Sequence, residues 1–153
     1  MFAIKKFVLP ALLTLSVFVL TACSSAYIDA LNPAIDQFNN ATNSLNAQLD
    51  IVNADNAKFT DPQWVADTET ALAAVRGAGQ ALKNLPEPDS EDYTKLAGLV
   101  EQLADATIKI ADDYGAAIES QDISNLSAAG DGMDTINELL PQVNAEVVRI
   151  SGE

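Results

Sequence analysis

The stretch Ile28–Val52, IDALNPAIDQFNNATNSLNAQLDIV, decides the fold. Ile28, Leu31, Ile35, Phe38, Leu45, Leu49 and Val52, with Thr42 in the series, recur at alternating steps of three and four. Such steps return side chains to one face of an α-helix, whereas a half-buried strand needs alternation with period two. The series is a heptad seam in a and d positions, the pattern by which helices pack side by side. A helix with such a seam must bury it against partners.

Working outward, the chain supplies three more seams. The second holds Val65, Thr68, Leu72, Val75, Gly79 and Leu82. The third holds Tyr93, Leu96, Val100, Leu103, Thr107, Ile110, Tyr114 and Ala117. The fourth holds Leu126, Ala129, Met133, Ile136, Leu140, Val143, Val147 and Ile150. Turn signals separate them. Asp61-Pro62 is a capping residue followed by a proline suited to the first helical position. Pro86-Glu87-Pro88 ends the second helix, Asp89 or Ser90 caps the third, and Asp122 or Ser124 caps the fourth. The spacing predicts helices over about 27–54, 62–85, 90–118 and 123–150, each roughly 35–45 Å long. Short connections favour antiparallel neighbours. The expectation is therefore an all-α domain over 27–153, an antiparallel up-down-up-down four-helix bundle. Pro33 leaves two readings, a helix that begins there or one with a kinked first turn; the seam starting at Ile28 favours the second. Pro141 removes a backbone bond to Asn137 and predicts a kink in the fourth helix.

Asparagine forms the least expected pattern. With Ile28 as a, Asn32, Asn39, Asn46 and Asn53 fall seven apart at e; with Leu126 as a, Asn137 and Asn144 also fall at e. In an up-down bundle these flanks can face one another, which predicts an amide-lined seam between helices one and four. Asn39, Asn46, Asn53, Asn137 and Asn144 are thus the candidate ligand or partner residues. Two readings stand: the amides fix helix pairing, as buried polar residues do, or they line a groove for a ligand or a partner helix. Small seam residues such as Gly79, Ala117 and Ala129 either leave a cavity or let helices approach closely. The seam threonines Thr42, Thr68 and Thr107 are most simply bonded to carbonyls one turn back. Phe59 and Trp64 flank the Asp61-Pro62 cap and are expected to plug the end of the bundle, the alternative being an exposed Trp64 that anchors a partner.

Composition excludes much. The chain has no histidine and one cysteine, Cys23. Zinc, copper and iron–sulfur sites built from His and Cys are excluded, as are Ser-His-Asp and Cys-His catalytic units. No cofactor or metal is expected. Eight Lys and Arg face 22 Asp and Glu, for a net charge of −14. Such a surface repels phosphates, so no nucleic-acid partner is expected. Glu101, Asp105, Asp112 and Glu119 fall on outer heptad positions and read as a solvated face. An enzyme built from carboxylates would need an inward acid with a shifted pKa, and the heptads place the acids outside.

The start of the chain has its own logic. Lys5 and Lys6 precede an uncharged apolar run from Phe7 to Leu20, shorter than the about 20 residues a membrane span needs. The run ends in Leu20-Thr21-Ala22-Cys23, and small residues there suit a signal peptidase. This stretch resembles the lipobox of bacterial lipoproteins, over residues 1 to about 25. The resemblance implies that residues 1–22 are a cleaved signal peptide. It also implies that Cys23 takes a diacylglycerol on sulfur, commonly with acylation of the new amine, and that 23–26 is a lipidated tether. Two or three acyl chains suffice for stable anchoring. Ser24, in place of the aspartate that commonly retains such proteins at the inner membrane, implies the outer membrane if the source has one, otherwise the outer face of the cytoplasmic membrane. The body is similar to the small helical bodies of other bacterial lipoproteins, with no motif tying it to one activity. The expected function is a membrane-anchored, non-enzymatic binding or scaffold module of the cell envelope, with envelope proteins as possible partners. The alternative is a small-ligand or cation carrier with its site at the asparagine seam.

Overall fold

The computed structural model describes residues 26–151. The expected signal peptide and Cys23 lie outside the described residues. Within them the chain is all-helical. Four long helices, α1 (Ala26–Ala54), α2 (Pro62–Lys83), α3 (Thr94–Glu119) and α4 (Ile123–Ser151), are joined by two short 3-10 turns at Asn56–Thr60 and Glu91–Tyr93 and by a tight α3–α4 link.

The predicted seams form the core. All eight seam residues of α1 are buried, as are Thr68, Leu72, Val75, Gly79 and Leu82 of α2. Leu96 to Ala117 of the third seam and Leu126 to Val143 of the fourth are buried too, while Tyr93, Val147 and Ile150 are half-buried. Burying one large aliphatic or aromatic side chain stabilises by about 1.5–3 kcal/mol, and the seams supply dozens of methylenes to one cluster.

Cross-helix contacts give the directions. Trp64, early in α2, reaches Gln48, late in α1. Arg76 and Lys83 of α2 pair with Asp112 and Asp105 of α3, and Lys95 of α3 pairs with Glu146 of α4. Low numbers meet high numbers in each case. The most extensive close backbone approaches join α1 to α2, α2 to α3 and α3 to α4.

The ends follow from local chemistry. Asp61 accepts from the backbone N–H of Gln63 at 2.9 Å, with Pro62 in the first turn of α2. Asp122 does the same for Ser124 at the start of α4. Two boundaries differ from expectation. α2 stops at Lys83 rather than 85, because Leu85 precedes Pro86, whose ring disfavours helical backbone before it. α3 starts at Thr94 rather than 90. Ser90 accepts from the Asp92 N–H at 3.2 Å, and that bond starts a 3-10 turn before the helix proper. Pro33 and Pro141 both lie inside continuous helices.

Gly79 resolves one open question. A Cβ there would sit 2.6 Å from Ile108 Cγ1 and 3.1 Å from the Ala104 carbonyl. The glycine therefore serves close approach of α2 to α3 and leaves no cavity.

Candidate functional site

The asparagines occupy the flank that their heptad position implies, with one exception. Asn32, Asn39, Asn46, Asn137 and Asn144 are half-buried, whereas Asn53 is exposed on the last turn of α1. Among the described residues no side-chain hydrogen bond joins one of these amides to another. Two oxygens stand out: Asn46 Oδ1 and the Tyr27 hydroxyl are buried and have no hydrogen-bond partner. An orphaned buried acceptor costs about 1–3 kcal/mol.

The threonines carry no such opening. Thr42 donates to Phe38 O at 2.8 Å, Thr68 to Trp64 O at 2.7 Å and Thr107 to Leu103 O at 2.6 Å. Their donors are engaged within their own helices, as the one-turn geometry suggests. Trp64 is 3% exposed, packs on Phe59 with ring centroids 5.7 Å apart, and donates its indole N–H to Gln48 O at 2.9 Å. It is a plug that satisfies a carbonyl near the end of α1, and no anchor for a partner.

The charges are arranged more tightly than heptads alone suggest. Asp105 and Asp112 are exposed, yet each reaches a cation on α2: Lys83 to Asp105 at 2.6 Å, Arg76 to Asp112 at 2.5 Å. Lys58 pairs with Asp61, Lys109 with Asp113, and Lys95 and Arg149 with Glu146. Every lysine and arginine among the described residues thus sits in an ion pair. Most carboxylates have no such partner, and α1 carries no cation along its whole length. No group of three or more His, Cys, Asp or Glu able to hold a metal ion occurs among the described residues.

One residue corrects the expectation that the acids lie outside. Glu146, at a g position beside the fourth seam, is 2% exposed. Hydrogen bonding from Lys95, then from Arg149, holds its carboxyl below the ordinary glutamate range against the opposing effect of burial. Both oxygens are engaged, so the group is a fixed anion and not a poised acid. The signal in the sequence was the g position itself; its partner Lys95 lies too far away along the chain to be paired by inspection. Tyr27 is a second buried polar group, 2% exposed, and burial pushes its phenol up to about 12.

The chain matches no family model, no curated protein and no solved structure. The reading of function therefore rests on the residues themselves.

Proposed function

We propose that the protein is a lipid-anchored component of the cell envelope, cut before Cys23 and acylated there. Its body is a non-enzymatic binding or scaffold module, closed as an antiparallel up-down-up-down four-helix bundle. The observation that carries the reading is the Leu20-Thr21-Ala22-Cys23 motif after a short apolar run, with its cysteine the sole one in the chain. One finding is in keeping with it: no helix among the described residues is long and apolar enough to cross a membrane, so attachment would fall to the lipid.

The charge arrangement suggests the partner's chemistry. With the described cations all in ion pairs, a partner docking on the helix faces meets unpaired carboxylates and exposed amides. A basic face on another envelope protein complements such a surface, and its association would weaken with added salt. A small-ligand carrier is the second reading, favoured by the orphaned Asn46 Oδ1.

Native mass spectrometry of the full-length protein, extracted gently from the membranes of its host, separates these readings. A mass equal to acylated 23–153, alone or with a partner subunit, supports the anchored interaction module. A reproducible small adduct on the acylated chain supports the carrier. A chain that keeps residues 1–22, or that lacks lipid, overturns the anchor.

A further inference from the structure

Among the described side chains Glu146 is the buried carboxylate, and it lies at the end of the fold where α1 begins. Glu146 Oε2 accepts from Lys95 Nζ at 2.8 Å, in the first turn of α3. Glu146 Oε1 accepts from Arg149 Nε at 2.7 Å. The other arm of Arg149 goes further: Nη2 donates to the Asp92 carbonyl at 2.9 Å, in the 3-10 turn before α3. The next residue, Tyr93, stacks on Tyr27 with ring centroids 6.2 Å apart and planes at 26°. Tyr27 is the second residue of α1. A line of contacts therefore runs from α4, through the 3-10 turn, to the start of α1.

We propose that these residues form a clasp. Glu146 sets the guanidinium of Arg149, Arg149 holds the Asp92 carbonyl, and the turn so fixed holds Tyr93 against Tyr27. The charged half is suited to this work. A buried carboxylate with both oxygens engaged is costly to leave unpaired, so it enforces one geometry on its partners. The aromatic half passes that geometry to α1 through ring contact. The clasp closes the fold at the end where α1 begins. It stands without the lipid; if Cys23 is acylated as proposed, the clasp is also the joint between anchor and body.

The test is amide hydrogen exchange read by mass spectrometry. It uses the full-length protein in detergent, comparing the parent, Glu146→Gln, Tyr93→Leu and the double variant. The readout is residues 30–35, the first amides of α1 that are bonded within the helix. Glu146→Gln is expected to speed exchange there by about tenfold, while residues 66–72 at the other end keep their rate. In the double variant residues 30–35 exchange no faster than in Tyr93→Leu alone, because both changes break one line. Faster exchange confined to 143–150, an even acceleration of all four helices, or additive effects at 30–35 overturns the clasp. If Glu146→Gln does not fold, Arg149→Lys takes its place with the same expected and overturning outcomes. That side chain is 53% exposed, and lysine keeps the charge without the second arm. The intact mass from the same sample reports acylation separately, so a missing lipid counts against the anchor and not against the clasp.

Discussion

The α2–α3 contact and the α1–α4 flank are specified by different means. Between α2 and α3 the backbones approach at Gly79, and two ion pairs, Arg76–Asp112 and Lys83–Asp105, lie along the same contact. On the flank of α1 and α4 there are half-buried amides and the orphaned Asn46 oxygen. Shape and charge leave the first contact a single register. The second is tied at its base through the turn that Arg149 and Tyr93 hold.

Gly79→Val is the strongest way to break the contrast. Its side chain must displace Ile108 and press on the Ala104 carbonyl. Overpacking of this kind costs about 1–3 kcal/mol, read as a lower melting temperature by circular dichroism. Unchanged melting would mean that α2 and α3 stand further apart than described, and the contrast with α1–α4 would lose its sharper half.

Asn46→Leu probes the other side. Leucine has nearly the shape of asparagine and no acceptor to orphan, so stability is expected to rise by about 1 kcal/mol in chemical denaturation. A fall instead would mean that the amide has a partner in solution. In that case the carrier reading gains, and the same variant should lose any adduct found in the native mass spectrum.

These two sides also differ in how much could be read ahead of the structure. The seams were legible because a and d positions recur locally, and burial then follows from helix geometry. Gly79 was legible as a seam residue, but cavity and close approach could be told apart only with Ile108 beside it. The asparagines at e were legible as a flank. Whether they meet one another depends on the distance between α1 and α4, which no local pattern encodes. Glu146 was missed for a related reason. Its burial is made tolerable by Lys95 and Arg149, and the first of these arrives from another helix. The 3-10 turn at Glu91–Tyr93 was read as helix because serine caps both.

Two of the links between successive helices offer a smaller contrast. Before α2, Asp55 and Asp61 cap their turns with ordinary extended backbone. Between α3 and α4, Gln121 holds φ 52°, left-handed backbone that favours glycine. It follows the C-cap Ser120, where a left-handed residue is the common way to end a helix. Gln121→Gly is therefore expected to stabilise by about 0.5–1 kcal/mol, less what glycine adds to unfolded-state entropy. A loss of stability in the same denaturation assay would show that the Gln121 side chain contributes more than its backbone costs.

The smallest effect concerns the ion pairs that make the α2–α3 side look so well specified. Arg76 and Asp112 are 47% and 57% exposed. Exposed pairs contribute about 0.2–1 kcal/mol and fade with salt. Asp112→Asn should therefore lower stability by a few tenths of a kcal/mol at low ionic strength and leave it unchanged near 1 M salt, where the screening length falls to about 3 Å. If the loss persists at high salt, the bond geometry matters more than the charge, since asparagine keeps one acceptor for the guanidinium. If the loss rivals that of Gly79→Val, charge rather than steric fit sets the α2–α3 register.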